Sequence, residues 1–330
     1  MKALVTGAGG FLGRAIVERL LTRGDEVRGL ARGEYPELTG MGVEMIRADL
    51  ADEEAVRRTC EGCEVVFHVA AKAGVWGSYK SYYEPNVHGT EHVLQACRKA
   101  GVPRLVYTSS PSVVFAGNDM EGADESVPYP AHFHSRYSET KALAEQKILA
   151  ADNTDLRTVA LRPHLIWGPR DNHIVPRLVA RAKSGKLIQV GDGTNRVDST
   201  YIDNAANAHL LAADALDKNP SVAGRAYFIT NGEPRPLWDL INGIIATAGL
   251  PPVRRKISRP VANVLGFMCE LSYITMGVQS EPPMTRFLAG ELTTSHWFDI
   301  SAARRDLGYE PSVSIDEGLR RLREWFRNPA

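Results

Sequence analysis

The feature that most constrains this chain is a glycine-rich turn close to its N-terminus. Gly7, Gly10 and Gly13 follow a short apolar run at the spacing Gly-x-x-Gly-x-x-Gly. A second apolar pattern with helical spacing begins at Phe11 and stops before Gly24, so the segment predicts a strand, a tight turn and a helix. Such a turn points backbone N–H groups and the positive end of the helix dipole at an anion. It therefore predicts a site for the pyrophosphate of a dinucleotide.

Each glycine has a separate physical task in such a site. Gly7 allows the backbone conformation of the turn, Gly10 lets the main chain approach the phosphates, and Gly13 lets the helix pack closely on the strand. Phe11 and Leu12 open the helix and are assigned to the cofactor site together with the glycines.

The end of the predicted second strand, residues 26–30, decides which dinucleotide is bound. An NAD site usually carries Asp or Glu there, whereas an Arg favours the 2′-phosphate of NADP. This chain has Ala31, Arg32 and Gly33, so a guanidinium stands in place of a carboxylate. We predict NADP(H) as the preferred cofactor, and NAD(H) as the alternative if Arg32 is only a solvated surface residue.

Composition excludes several other classes of protein. The 39 Lys and Arg residues equal the 39 Asp and Glu residues, so nucleic-acid binding has no electrostatic basis. The chain enters the first strand at once and has no apolar stretch long enough for a membrane span, which predicts a cytoplasmic protein. Cys60 and Cys63 form a lone Cys-x-x-Cys, which predicts no metal site; we interpret them as small apolar fillers, with a redox pair as the lesser alternative.

Strand and helix signals alternate along the first half of the chain. A helix is predicted over residues 83–100, and apolar runs predict four further strands, at residues 43–47, 65–69, 104–108 and 157–161. This alternation with short connections predicts an α/β fold with a Rossmann-type doubly wound parallel sheet. The fourth strand is followed by Ala70 and Ala71, whose small side chains leave room for a ligand at the carboxyl edge of the sheet.

Two segments carry side chains suited to acid–base chemistry. Ser109 and Ser110 follow the fifth strand, while Tyr137 and Lys141 lie four residues apart, on one face of a predicted helix. A free phenol has a pKa near ~10, and a neighbouring ammonium is expected to lower that pKa toward useful acid–base strength. The serine hydroxyl can hydrogen-bond the same substrate oxygen, so the two segments together predict an active site.

With these segments in place, the chain resembles the extended short-chain dehydrogenases/reductases over nearly its whole length. The resemblance implies Ser110, rather than Ser109, as the catalytic hydroxyl, Tyr137 as the acid–base group, and Lys141 as the support of the tyrosine and of the nicotinamide ribose. It matches Asn86 to a helix asparagine of the family, for which packing or capping is as good an interpretation as a proton relay. Further cofactor contacts are implied for Asp49, Leu50, Ala70, Ala71, Lys72, Pro163 and Ile166.

The chain is predicted to divide into two parts. Residues 1–170 would form the NAD(P)-binding Rossmann domain, to which the chain returns at about 196–230, and residues 171–330 would form mainly a smaller C-terminal substrate-binding cap. Within the cap, residues 261–276 are apolar with helical spacing and follow the basic residues 254–256. We interpret the stretch first as a helix buried in the cap. A lid over an apolar substrate and an interfacial helix in peripheral contact with a membrane are the alternatives.

Two histidines are further candidates for the predicted site. His164 and His173 lie after the sixth strand and could serve as bases, but Tyr137 already fills that role and loop hydrogen bonding is the preferred interpretation.

The family's four-helix dimer implies a homodimer formed by helices near residues 90–100 and 143–150.

Residues 72–77, 111–113 and 295–299 narrow the resemblance to the 3β-hydroxysteroid dehydrogenase branch of the family. Within that branch the chain is most similar to bacterial enzymes that reduce 2-alkyl-3-oxoalkanoates, with sterol-4α-carboxylate 3-dehydrogenases as near relatives. This implies a NADPH-dependent reductase of a 3-oxo group on a hydrophobic small molecule. The alternatives are a 3β-hydroxysteroid or sterol-4α-carboxylate 3-dehydrogenase, a sugar-nucleotide epimerase or dehydratase, and a non-catalytic dinucleotide sensor.

Overall fold

The computed structural model describes residues 1–278 and 280–328. Its strands are β1 (Lys2–Thr6), β2 (Glu26–Ala31), β3 (Glu44–Arg47), β4 (Val65–His68), β5 (Arg104–Thr108), β6 (Met120–Ala123), β7 (Arg157–Pro163), β8 (Ile166–Trp167), β9 (Gln189–Val190), β10 (Arg196–Val197), β11 (Thr200–Tyr201), β12 (Arg225–Ile229), β13 (Arg235–Pro236), β14 (Lys256–Ile257) and β15 (His296–Phe298). Its α-helices are α1 (Phe11–Arg23), α2 (Pro36–Gly40), α3 (Glu53–Cys60), α4 (Tyr79–Tyr83), α5 (Gly89–Ala100), α6 (Arg136–Ala150), α7 (Ile174–Lys183), α8 (Ile202–Lys218), α9 (Leu237–Thr247), α10 (Arg259–Thr275), α11 (Arg286–Glu291), α12 (Ser301–Leu307) and α13 (Ile315–Arg327).

A seven-stranded parallel sheet forms the centre of the molecule. Its strand order is β3-β2-β1-β4-β5-β7-β12, which confirms the predicted doubly wound sheet. The order reverses between β1 and β4, and this reversal opens a crevice at the carboxyl ends of the strands, where open α/β sheets bind ligands. The strand β7 continues two residues beyond its predicted end because Arg162 and Pro163 still pair with β12.

The second half of the chain adds smaller sheets and also returns to the central one. A four-stranded sheet has the order β13-β10-β15-β6, and two short pairs join β8 to β11 and β9 to β14. Helix α8 packs against α1, and β12 closes one edge of the central sheet.

The predicted helix over residues 83–100 is interrupted. Helix α4 ends at Tyr83, a π-helical turn covers Glu84–His88, and α5 then runs from Gly89. Pro85 lies in this turn and has no N–H to donate to a regular helix, while Asn86 is buried there. The irregular turn is what places the Asn86 side chain, whose contacts are given below.

The interpretation of residues 261–276 as a buried helix is wrong. Helix α10 does form there, but only Ala262 and Gly266 are buried in it. The large apolar side chains face outward, with exposed fractions from 44% for Leu265 to 67% for Ile274. Apolar spacing identified the helix correctly, but the protein covers only its narrow stripe of small residues.

The cysteines give no support to the alternative of a redox pair. Cys60, Cys63 and Cys97 are buried, and burial raises the pKa of the Cys63 thiol to about 11, which disfavours the reactive thiolate. Within residues 1–278 and 280–328 no group of three His, Cys, Asp or Glu residues could hold a metal ion. In the same ranges no helix has the length and hydropathy needed to cross a bilayer.

Candidate active site

The glycine turn joins β1 to α1 and leaves the start of the helix open. Gly7 has a φ of +70°, which residues with a side chain rarely adopt. A Cβ on Gly13 would lie 2.1 Å from the Gly7 carbonyl oxygen, so the turn closes only with glycine at this position. Gly10 is the N-cap of α1 and provides no side-chain hydrogen bond to the helix. This cradle, followed by Phe11 and Leu12, fits the pyrophosphate of a dinucleotide.

Arg32 lies directly after β2, and its side chain is 83% exposed. Its Nη1 is 4.0 Å from Oδ2 of Asp49, so the guanidinium is only loosely paired. Tyr35, which the sequence analysis did not single out, spans the gap between this end of β2 and the glycine turn: Cβ atoms on Gly9 and Gly33 would lie 2.0 and 3.3 Å from its ring. No local pattern could have identified Tyr35, because its contact with Gly9 depends on the turn geometry.

The other residues predicted beside the adenine lie at the end of β3. The Asp49 carboxylate accepts a hydrogen bond from the Ala51 N–H at 2.9 Å, which fixes the turn. Leu50 is buried and packs against Gly89, where a Cβ would lie 3.0 Å from the leucine. The two residues are thus in place next to α5, one exposed and one in the core.

A buried hydrogen-bonded chain holds the ends of β1 and β4 together. Thr6 Oγ1 lies 2.8 Å from His68 Nδ1 and accepts from the N–H groups of Val69 and Ala70, each at 3.2 Å. His68 Nε2 is 3.0 Å from Thr90 Oγ1. Burial, with a smaller contribution from the charge of Lys141, lowers the pKa of His68 to about 3, so this histidine is neutral and structural.

Asn86 braces the loop that follows β4. Its Oδ1 accepts from the Lys72 N–H at 2.7 Å, and its Nδ2 donates to the Lys72 carbonyl and to Thr140 Oγ1, both at 3.1 Å. The Lys72 ammonium donates to Ser81 Oγ at 2.8 Å and lies 4.7 Å from the centre of the Tyr82 ring. Ala70 and Ala71 begin this loop, and a Cβ on Gly7 would lie 3.0 Å from Ala70 Cα. The loop therefore crosses close above the glycine turn.

Ser110 and Tyr137 come together at the carboxyl edge of the sheet. Ser110 begins a 3₁₀ turn after β5, and Tyr137 lies in the first turn of α6, whose N-cap Ser135 accepts from the Ser138 N–H at 3.0 Å. The Ser110 hydroxyl lies beside the Tyr137 phenol and donates a hydrogen bond to Ser112 Oγ at 3.0 Å. Ser109 is instead buried, and its hydroxyl has no hydrogen-bond partner among the described residues. The fold thus brings Ser110, and not Ser109, to the tyrosine.

Lys141 lies on the same face of α6 but turns toward β5. Its Nζ donates to the Thr108 carbonyl at 2.5 Å and lies 4.1 Å from the centre of the Tyr107 ring. Burial lowers the pKa of Lys141 to about 7, and the nearby Glu145 carboxylate opposes this change. Burial raises the pKa of Tyr137, and the neighbouring Ser110 hydroxyl opposes this rise. The expected lowering of the tyrosine pKa by Lys141 is therefore wrong for this structure, because the ammonium points at a carbonyl rather than at the phenol.

A buried ion pair fixes α6 on the sheet behind these residues. Arg162 Nη2 lies 2.6 Å from Glu145 Oε1, and both side chains are almost completely buried. The Tyr129 hydroxyl donates to the same carboxylate oxygen at 2.6 Å. No local pattern in the sequence identifies this pair, although Glu145 lies one helical turn beyond Lys141.

The segment after β7 holds the remaining predicted residues. Pro163 still pairs with Ile229, and Ile166 pairs with Thr200. His164 is buried, with Nδ1 2.7 Å from Asp198 Oδ1 and Nε2 3.1 Å from His296 Nδ1, so both ring nitrogens have protein partners. His173 is exposed and serves as the N-cap of α7. The His164 ring thus agrees with the preferred interpretation of loop hydrogen bonding, whereas for His173 it is the backbone N–H that donates, to Asp171 Oδ1 at 2.7 Å.

The sheet order, the glycine cradle and the placement of Ser110 beside Tyr137, with Lys141 one turn further along α6, define an extended short-chain dehydrogenase/reductase, which is a NAD(P)-dependent oxidoreductase. The chain belongs to the 3-beta hydroxysteroid dehydrogenase/isomerase family, whose sequence profile matches residues 4–258.

Named relatives match almost the whole chain. It is 54% identical to a 2-alkyl-3-oxoalkanoate reductase of Stenotrophomonas maltophilia, over 98% of both chains. It is 50% identical to a protein of the same name from Shewanella oneidensis, over 97% of this chain and 85% of the relative. The mouse sterol-4-alpha-carboxylate 3-dehydrogenase (decarboxylating) is more distant, at 33% identity over 99% of this chain and 91% of the relative.

Solved structures share the architecture at lower identity. The Thermus thermophilus UDP-glucose 4-epimerase in complex with NAD superposes with a TM-score of 0.76 and 27% identity, and the match covers 100% of both chains. The fold is therefore common to proteins that act on different substrates.

Proposed function

We propose that this protein reduces the 3-oxo group of a hydrophobic 2-alkyl-3-oxo acid to the 3-hydroxy acid, with NADPH as its preferred cofactor. The observation that carries the proposal is the placement of the Ser110 hydroxyl, after β5, beside the Tyr137 phenol, in the first turn of α6. The 54% identity to a 2-alkyl-3-oxoalkanoate reductase supports the choice of substrate.

Three side chains share the work at the reacting carbonyl. The Tyr137 phenol, kept protonated by its raised pKa, donates its proton to the 3-oxo oxygen. The Ser110 hydroxyl donates a hydrogen bond to the same oxygen, which stabilises the negative charge that develops there. The Lys141 ammonium, which the Thr108 carbonyl holds in place, positions the nicotinamide ribose beside these two hydroxyls.

We assign the contacts with the cofactor to residues around the crevice at the carboxyl ends of the strands. We assign the pyrophosphate to the cradle of Gly7, Gly10 and Gly13 with Phe11 and Leu12, and the nicotinamide ribose to Tyr137 and Lys141. The adenosine end is assigned to Asp49, Leu50 and Arg32, and the nicotinamide side to Ala70, Ala71, Lys72, Pro163 and Ile166. The bound cofactor supplies the hydride, while these residues position it.

A substrate panel tests this function. The protein is incubated with NADPH and a freshly prepared long-chain 2-alkyl-3-oxo acid, with NADP⁺ and a 3β-hydroxysteroid, and with NAD⁺ and UDP-glucose. We expect oxidation of NADPH with the oxo acid at a kcat/KM at least about 100-fold above that for the steroid, and no product from UDP-glucose. Preferred turnover of the steroid or epimerisation of the sugar nucleotide would contradict the proposal.

The pKa of Lys141 sets a pH dependence. Because its folded-state pKa is about 7, the ammonium is present below this pH and is lost as the pH rises. We expect kcat/KM for ketone reduction to fall by about tenfold per pH unit above an apparent pKa near 7. The Lys141→Met variant should be slower and should lack this limb. A wild-type profile that stays flat to pH ~9 would show that the lysine charge is not used.

Arg32 is expected to set the cofactor preference. Its exposed guanidinium at the end of β2 can pair with the 2′-phosphate of NADPH, a charge-assisted contact of about 1.5–3 kcal/mol. Arg32→Asp should therefore weaken NADPH binding by roughly 10–100-fold and leave NADH binding nearly unchanged. Isothermal titration with both cofactors measures this, and Arg58→Asp, which changes an exposed arginine on α3, is the control. Equal wild-type affinities for NADH and NADPH would refute the preference.

Two organisational proposals accompany this function. We propose a domain boundary near residue 170 and a homodimer formed through α5 and α6. The Glu91–Lys147 ion pair at 2.8 Å holds these two helices side by side, so they can present a common surface. Light scattering of the purified protein should give twice the mass of the 36.2 kDa chain, and the monomer mass would exclude the dimer.

A further inference from the structure

Helix α10 exposes its large apolar side chains, whereas an ordinary surface helix buries them and exposes its polar side. Of the ten large hydrophobic side chains that are exposed in residues 1–278 and 280–328, eight lie on α10 or directly after it. We call the following seven the α10 face: Val261, Val264, Leu265, Phe267, Met268, Leu271 and Ile274. At 100° per residue they occupy one half of the helix circumference.

The opposite side of α10 attaches it to the protein. A Cβ on Gly266 would lie 2.7 Å from the Arg286 nitrogen, so the backbones of α10 and α11 are in close contact. Glu270 is the single acidic residue of α10, and its carboxylate accepts from the N–H and from Nε of Arg286, at 2.7 and 2.8 Å. The Glu270 carboxylate is thus turned toward α11, and none of the seven side chains of the α10 face is charged. The Arg286 guanidinium, which pairs with Glu270, lies 5.5 Å from the centre of the Phe267 ring.

A cluster of cations borders the α10 face at its N-terminal end. Arg254, Arg255, Lys256 and Arg259 are exposed, and none of them forms an ion pair with any residue that the structure describes. The chain as a whole has no net charge, so these four cations are a local excess of positive charge, of which the nearby Asp192 carboxylate offsets a part at Lys256. An apolar face with cations at its edge is complementary to one kind of surface, acyl chains beneath anionic headgroups.

We propose that the α10 face and its four cations dock this protein onto the surface of an anionic lipid bilayer. The helix lies in the plane of the bilayer, since its 17 residues are too few to span it. The apolar side chains enter the boundary between headgroups and acyl chains, and the cations pair with lipid phosphates.

The docked helix is connected to the region of the active site. Trp76, in the loop that follows Lys72, donates from Nε1 to the Val278 carbonyl at 3.2 Å, and its ring meets the Tyr273 ring edge-on at 6.2 Å. The C-terminal end of α10 therefore contacts the loop that passes over the glycine turn. On the assumption that the proposed function holds, a long-chain substrate dissolved in the bilayer would reach the site beside this contact.

Vesicle binding tests the docking without substrate or cofactor. The full-length protein is sedimented with sucrose-loaded vesicles of phosphatidylcholine alone or with roughly 30% phosphatidylglycerol, whose anionic surface attracts the cations. We expect cosedimentation with the anionic vesicles. Val264→Ser/Met268→Ser/Leu271→Ser should lower the partition coefficient by at least about 30-fold. The matched control Met41→Ser, which removes an exposed methionine elsewhere, should bind like the wild type.

The cations are tested separately. Arg254→Gln/Arg255→Gln/Lys256→Gln should lower binding to the anionic vesicles by about 100-fold, whereas Arg58→Gln/Lys218→Gln/Arg323→Gln should have little effect. Thermal melts of every variant check that the fold is retained. Wild-type protein that stays in the supernatant with both vesicle types would overturn the proposal. Loss of a dimer in the serine variant, without any vesicle binding by the wild type, would assign the α10 face to a second copy of the chain.

An activity measurement separates this inference from the proposed function. With the serine variant we expect kcat/KM to fall for a long-chain oxo acid presented in vesicles, and not for a short-chain, water-soluble oxo acid. Vesicle binding without any ketone reduction would leave the docking intact and reject the function. Ketone reduction without vesicle binding would support the proposed function and reject the docking.

Discussion

Replacing Tyr137 with phenylalanine is expected to lower kcat for ketone reduction by about 10²–10⁴-fold, the usual contribution of a positioned acid. The variant keeps the aromatic ring at position 137 of α6 but removes the hydroxyl that lies beside Ser110. Cofactor affinity should change by less than about threefold, because most assigned contacts to the cofactor lie elsewhere. Single-turnover reduction together with NADPH titration measures both quantities.

A matched variant tests whether the loss of kcat is specific to the hydroxyl of Tyr137. Tyr79 has an exposed phenol at the start of α4, beside Glu139 of the helix that carries Tyr137. Tyr79→Phe removes the same atom from a nearby tyrosine and should leave kcat within about twofold of the wild-type value. A Tyr137→Phe variant with near-normal kcat would show that another group donates the proton.

The second large effect concerns stability. Glu145→Ala should lower the free energy of unfolding by about 3–5 kcal/mol, because Arg162 would remain buried without its counter-charge and Tyr129 would lose its acceptor. Denaturant unfolding of the wild type and the variant measures the change. Activity should fall as well, since this ion pair holds α6 on β7 and so positions Tyr137 and Lys141.

The same helix provides the control for this prediction. Lys147 of α6 pairs with Glu91 of α5 at 2.8 Å, and both side chains are partly exposed. Glu91→Ala should cost less than about 1 kcal/mol, the usual contribution of a solvated ion pair. If the two variants lose equal stability, the burial of the Glu145–Arg162 pair is not what makes it important.

The sequence predicted the parts of this molecule that local patterns encode. The strand, glycine turn and helix around Gly7 follow from spacing and residue size, and the doubly wound parallel sheet follows from alternation with short connections. The face shared by Tyr137 and Lys141 follows from helical geometry alone. These features needed no knowledge of which distant residues come into contact.

The features that the sequence analysis missed depend on contacts between distant segments. The pairing of Glu145 with Arg162 joins a helix to a strand, and Tyr35 covers Gly9 only because the chain turns back after β2. The direction in which Lys141 points is set by the Thr108 carbonyl, so its effect on Tyr137 could not be deduced from their spacing. The apolar period of α10 identified the helix but carried no information on whether protein covers its apolar side.

A crystal structure of the protein with NADP⁺ and a 2-alkyl-3-hydroxy acid tests the central claim most directly. We predict that the 3-hydroxyl oxygen lies within about 3.2 Å of both Ser110 Oγ and Tyr137 Oη, on the side of the nicotinamide ring. A product oxygen held by other side chains, with Tyr137 out of reach, would contradict the account.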